Sequence, residues 1–169
     1  THDRADLADT AQIVAQQVDD HHVLGPILRA QREFLGQGPI GGGRGAFIGA
    51  VHRIASRIDD QYELVAGSFS SDPERSAASA ADLGVGRSYG SFEEMAQKEA
   101  RRKDGIEAVA IVTPNHMHAP VALQFLKRGI HVICDKPLTA TLPEAKKLAK
   151  AAEASGVVFA LTHNYTGYP

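Results

Sequence analysis

From about residue 41 to the end of the chain, short apolar runs of β-forming residues alternate with capped helical runs. "YELVAGSF" (62–69), "GIEAVAIV" (105–112), "IHVIC" (130–134) and "VVFAL" (157–161) read as strands. The last three are nearly all apolar, as strands covered on both faces are. Between the first two, "SDPERSAASAADLG" offers Asp72 as an N-cap, Pro73 for the first helical position and Gly84 as a stop. "SY" (88–89) reads as a short strand, and "SFEEMAQKEARRK" as a helix opening on a capping box, Ser91 with Glu94. "NHMHAPVALQFLKRG" is predicted helical up to Gly129, and "TLPEAKKLAKAAEASG" carries a second capping box, Thr141 with Glu144, ahead of Gly156. Strands joined by helices of this length form right-handed crossover units. The pattern therefore predicts an α/β chain with a doubly wound parallel sheet covered on both faces.

Residues 1–35 stand outside the alternation. Leu7, Ala11, Val14 and Val18 mark one face of an amphipathic helix, and Pro26 through Leu35 reads as a second short helix stopped by Gly36. The expected division is a helical N-terminal extension over 1–35 and one α/β domain over 36–169. The run "FLGQGPI" falls where the first, central strand belongs, yet it carries two glycines, a glutamine and Pro39. Proline cannot donate to a ladder. Either this strand is short and irregular, or the N-terminal portion is not the ordinary one for such a sheet. The adjacent His21 and His22 are too few for a metal site, which needs three or four convergent ligands, and no metal is predicted.

The balance of charges narrows the partners. A net charge of −2 with 43% hydrophobic residues leaves no basic footprint for nucleic acid and no polybasic membrane patch. No apolar stretch reaches membrane-spanning length, and the start "THDRADLADTAQ" lacks the features of a secretion signal. The single cysteine, Cys134, lies in an apolar run and reads as a small buried hydrophobe in a reducing compartment. The expectation is a cytoplasmic protein. Both ends, Thr1 and "NYTGYP", read as cut.

Three motifs carry chemistry. In "GGGRGAFIGAVHR" (41–53), Gly41 and Gly43 allow a tight turn and close approach to a phosphate. Ala46, Phe47 and Ile48 open the helix whose N-terminal end would face a pyrophosphate. Gly41-x-Gly43-x-x-Ala46 fits one version of the G-x-G-x-x-G pattern, with Gly49 three residues further on. At the end of the second strand, an acid would accept from the ribose 2′-hydroxyl of NAD. Here Ser70 occupies that position, with Ser71 beside it and Arg75 on the next helix within reach of a 2′-phosphate. In "IVTPNHMHAP" (111–120), Thr113 and Pro114 leave the fourth strand, Asn115 can cap the next helix, and His118 is read as a cofactor contact. His116 reads either as a contact or as a solvated first-turn residue. No Gly-Lys-Ser/Thr follows the glycines, which excludes a nucleotide triphosphatase.

With "VICDKPLT" and "LTHNYTGYP" following in order, these motifs resemble the glucose–fructose oxidoreductase / inositol dehydrogenase / rhizopine catabolism (Gfo/Idh/MocA) family over about residues 41–169. "DKP" is similar to the family's Glu-Lys-Pro. The resemblance implies a Rossmann-like fold and hydride transfer between a nicotinamide cofactor and a sugar, inositol or related polyol. The cofactor is NADP or NAD, with Ser70 and Arg75 favouring NADP. It also implies that Lys136 lies at the nicotinamide and holds the reacting hydroxyl or carbonyl. Asp135 would position Lys136, and Pro137 would rigidify the turn. The family's second domain, which carries an aspartate–histidine pair and builds the substrate pocket, is expected beyond "NYTGYP"; His163 is not promoted to fill that role. A homo-oligomer is possible for the full-length form. A non-catalytic dinucleotide-binding module is the alternative, and another Rossmann-type enzyme such as a methyltransferase is weaker; neither has use for "DKP" at the nicotinamide end.

Overall fold

A computed structural model of the chain describes residues 35–58 and 62–167. The two N-terminal helices and the His21–His22 pair lie outside the described residues, apart from the end of the second helix. There Leu35 and Gly36 are not a helix end; they are the first residues of strand β1 (Leu35–Gly41). The pairing of Leu35 with Tyr62 and of Gly36 with Glu63 draws them into the sheet.

In chain order, β1 is followed by α1 (Phe47–Ile58), β2 (Tyr62–Leu64), β3 (Ala66–Gly67), α2 (Pro73–Leu83), β4 (Arg87–Ser88) and α3 (Phe92–Glu99). Then come β5 (Ala108–Val112), a 3-10 turn (Asn115–Met117), α4 (His118–Leu126), β6 (His131–Asp135), α5 (Leu142–Ser155) and β7 (Phe159–Thr162). Five parallel strands run in the order β2-β1-β5-β6-β7, and β3 pairs with β4. An isolated parallel bridge from Ile40 to Ser68 brings the segment just after β3 beside β1. The expected strand 62–69 is thus broken at Val65, and its two pieces flank β1 in succession.

That break accounts for Pro39. The Gly41 N–H donates to the Ser68 carbonyl at 2.7 Å. Backbone groups two residues apart on a strand face the same edge, so the donor that Pro39 lacks would also face the β2–β3 side. Register with β2 ends at Gln37–Leu64, and β3 starts at Ala66. The missing N–H therefore coincides with the interruption. On the other edge the ladder is continuous, from Gln37–Ala108 to Gly41–Val112. β1 is regular on one side and interrupted on the other, so a proline in a central strand costs little.

Most of the core lies to the right of β1. All five residues of β5 are buried, and Phe125, Phe159, Leu148, Val109, Val121 and Val132 are at most 1% exposed. Local signals shaped the helices around it. Asp72 caps α2 by accepting from the Arg75 N–H at 3.0 Å, and Gly84 ends it with φ 68°. Thr141 and Glu144 form the capping box of α5. The box expected at α3 is half made. Ser91 Oγ accepts from the Glu94 N–H at 3.2 Å, but the Glu94 carboxylate accepts from Gly90 N–H and Lys98 instead of the Ser91 backbone.

One buried polar cluster was not visible in the sequence. Glu99, 1% exposed, accepts two hydrogen bonds from Arg87 at 2.8 and 3.0 Å, one from the Ile106 N–H at 3.0 Å, and one from the Tyr89 hydroxyl. Burial and the neighbouring carboxylate push the Tyr89 phenol up to about 12. Every contact joins α3 to the β4 segment or to the lead-in of β5, and none of Arg87, Tyr89, Glu99 and Ile106 lines the cavity, so the cluster is structural. At the opposite extreme, α1 buries only Gly49 and leaves Phe47, Val51, Ile54 and Ile58 exposed at helical spacing.

Candidate functional site

From β1 the chain crosses through α1 to β2 on one side, and from β5 it crosses through α4 to β6 on the other. The crevice beyond the carboxyl ends of β1 and β5 is therefore the switch point of the sheet, where ligands of such folds bind. A cavity of about 830 Å³ opens there.

The glycine turn forms its floor. Gly41 and Gly42 have φ of 83° and 72°, which side chains rarely adopt. A Cβ on Gly43 would stand 2.8 Å from both the Phe69 carbonyl and Ser79 Oγ. The Arg44 N–H donates to Ser79 Oγ at 3.2 Å, and Arg53 reaches back from α1 to donate to the Gly42 carbonyl at 2.9 Å. Gly49 is where the helix meets the turn: a Cβ there would lie 2.5 Å from Gly42 Cα. This corrects the expected motif. Gly49, not Ala46, is the third glycine, the one that permits close packing of helix on turn. Ala46 lines the cavity just before α1, whereas the side chains of Phe47 (82% exposed) and Ile48 do not line it. At those two positions, only the backbone N–H groups of the helix's first turn are placed to face a phosphate.

Ser70, Ser71 and Arg75 line the same cavity, with Ala78 and Ser79 continuing the wall along one face of α2. Ser70 Oγ accepts from the Asp72 N–H at 3.1 Å, and the Asp72 carboxylate is used as the helix cap. Arg44, which sequence reasoning passed over, also lines the cavity. Its guanidinium makes a bidentate pair with Asp82, which holds the Asp82 carboxyl below the ordinary carboxylate range.

At the exit of β5, Thr113 and Pro114 line the cavity. Thr113 Oγ1 is buried and has no hydrogen-bond partner among the described residues. Asn115 does not cap a helix with its side chain; its carbonyl accepts from the His118 N–H, and neither the 3-10 turn nor α4 has a side-chain cap. His116 is exposed. His118 departs from its expected role as a cofactor contact. It is 1% exposed, with Nδ1 2.7 Å from the Pro137 carbonyl and Nε2 2.9 Å from the Thr113 carbonyl. Both ring nitrogens are occupied by backbone, so none remains for a ligand.

β6 delivers Asp135 and Lys136 to the neighbouring loop. Lys136 is exposed and makes no hydrogen bond or ion pair with any described residue. Asp135 does not hold it, contrary to expectation. The Asp135 carboxylate accepts from Thr162 Oγ1 at 3.0 Å and lies 3.6 Å from His52 Nε2, tying β6 to β7 and α1. The Lys136–Pro137 peptide is cis. Cys134, buried on the opposite face of β6, has its thiol pushed up to about 12, first by burial and then by the Asp135 charge.

Among the described residues no cluster of three or more potential metal ligands occurs, and no helix is long and apolar enough to cross a membrane. The residues present do fit a dinucleotide. The glycine cradle offers backbone to a pyrophosphate, the orphaned Thr113 hydroxyl awaits a polar partner, and Arg75 stands on the α2 wall of the same cavity.

The profile of the oxidoreductase family with an NAD-binding Rossmann fold (Gfo/Idh/MocA) matches residues 38–163. An uncharacterized oxidoreductase of Bacillus subtilis, YfiI, is 40% identical over 131 residues, covering 76% of this chain and 33% of its own. The crystal structure of an oxidoreductase from Sinorhizobium meliloti superposes with a TM-score of 0.77 at 64% identity, over 82% of this chain and 39% of that one. An inositol dehydrogenase homologue from Azotobacter vinelandii, solved with NAD+, gives a TM-score of 0.77 at 40% identity, over 81% of this chain and 36% of that one. The chain spans about a third of the length of the curated relatives it matches.

Proposed function

The chain belongs to the Gfo/Idh/MocA oxidoreductase family, and from that premise we propose that it binds NADP or NAD for hydride transfer to or from a sugar, inositol or related polyol. The observation that carries the reading is the switch-point crevice, floored by the Gly41–Gly43 turn and open along α2 and the β5 exit. In this reading the pyrophosphate lies against the glycine turn and the first turn of α1. The adenosine ribose lies at Ser70, Ser71 and Arg75, and Thr113 and Pro114 lead toward the nicotinamide. The polyol class rests on the Azotobacter homologue, which is solved with NADH and myo-inositol. That homologue also binds NAD+. The preference for NADP here rests on the chain's own residues, a neutral Ser70 and a cationic Arg75 where an acid would repel a 2′-phosphate.

A bound nicotinamide supplies the hydride exchange. The chain's own contribution in this reading is the ammonium of Lys136, which is exposed and unpaired among the described residues on the loop that follows β6. It stabilises alkoxide charge on the substrate oxygen and holds or releases the proton of that oxygen at Nζ. Asp135 and Thr162 keep the end of β6 in register, so that the lysine leaves the sheet at a fixed point.

Filling the crevice tests the binding reading without touching the core. Ala78 is half-buried on the cavity wall, between the exposed Arg75 and the buried Ser79. Ala78→Trp should weaken NADPH binding at least about tenfold in a fluorescence titration, a change of about 1.4 kcal/mol, with the melting temperature unchanged. Equal affinity in wild type and variant would place the cofactor elsewhere.

A further inference from the structure

We infer that His118 is a positioning residue that sets Lys136 against the crevice, an inference that rests on the role of Lys136 proposed above. The imidazole sits in the first turn of α4, 1% exposed, between two loops that leave the sheet at neighbouring strands. Its two partners, the carbonyls of Thr113 and Pro137, lie at 2.9 and 2.7 Å. A carbonyl oxygen only accepts, so whichever ring nitrogen carries hydrogen donates to one loop while the buried ring fills the space against the other. No other hydrogen bond joins these two loops among the described residues.

The anchor matters because of what stands next to it. Pro137 follows Lys136 directly, and the lysine side chain has no partner of its own among the described residues. Thr113, at the other end of the ring, lines the cavity and carries the orphaned hydroxyl. The imidazole therefore ties the backbone that launches the lysine to the backbone that touches the crevice. Without it, the loop after β6 loses its link to the β5 exit, and a misplaced reacting group forfeits much of the advantage of orientation.

Two measurements test this. In the wild-type chain, nitrogen-15 NMR of the histidine rings should show a His118 ring N–H proton that exchanges slowly with water. A fast-exchanging His118 ring proton overturns the inference, and this holds whether or not any variant folds. The second measurement follows acylation of Lys136 by a succinimidyl ester, read by mass spectrometry, with NADPH at ten times its Kd. An occupied site should slow the wild-type reaction about tenfold. In His118→Asn, at ten times the variant's own measured Kd, the slowing should fall below about twofold. Full protection in the folded variant overturns the positioning role alone. Absence of protection in a wild-type chain that demonstrably binds NADPH removes Lys136 from the cofactor site, and the inference falls with that reading.

Discussion

The two halves of the sheet are built on different principles. To the right of β1, β5, β6 and β7 pair without a break from Ala108–His131 through Asp135–Thr162, and α4 and α5 bury large side chains against them. To the left, β2, β3 and β4 have three, two and two residues; Ala66 and Tyr89 join the main core, and a separate small cluster holds Phe69, Ala80 and Val85. The right half is made of side chains, the left half largely of backbone. That division suits a dinucleotide site. Close approach to phosphate requires glycine and open backbone, which contribute little burial, so the stiffness must come from the neighbouring half. The lysine is mounted on the stiff half, directly after β6.

Truncating the stiff half should have the largest effect. Phe125→Ala removes a fully buried ring from the α4 face of the core. It should cost about 3–5 kcal/mol in urea unfolding monitored by circular dichroism. A loss below about 1 kcal/mol would mean that the core is not concentrated there. Next in size is the open half's hold on its ligand. Arg75→Ala should weaken NADPH by about 1.5–3 kcal/mol, tenfold or more, and leave NADH unchanged in parallel calorimetric titrations. Equal losses for both cofactors would move Arg75 away from the 2′-phosphate. The smallest effect belongs to the exposed stripe of α1. Ile54 is 64% exposed, and Ile54→Ser should shift unfolding by no more than about 0.5 kcal/mol. A loss of several times that would show the stripe to be covered in solution.

The features legible in the sequence were those decided within a few residues. Asp72 and Gly84 bracket α2 because a cap and a left-handed stop act on adjacent backbone, and the Thr141–Glu144 box works the same way. The five apolar residues of β5 announce a strand buried on both faces. What escaped depends on distant partners. Pro39 is tolerated because the strand beside it breaks at Val65, which nothing in "FLGQGPI" reveals. Gly49 takes the role assigned to Ala46 because the turn is three residues longer than the pattern allows for, and only its 2.5 Å approach to Gly42 shows this. His118 could be recognised as a ligand-type residue, but its two acceptors come from loops that only the folded sheet brings together. Asp135 stands beside Lys136 in sequence, whereas its carboxylate engages Thr162 on β7 and lies beside His52 on α1.

The burial of Cys134 has a practical side. It is the only cysteine in the chain, it is 0% exposed, and its thiol is pushed up to about 12. Burial and the raised pKa both disfavour the thiolate that reacts with electrophiles. In the native fold Cys134 should therefore react slowly with maleimides and related labels. A single cysteine introduced on the cavity wall or on the exposed stripe of α1 would carry a fluorophore or spin label with little background from the protein. The surroundings of that label could then be followed as cofactor is added, without first removing a native residue.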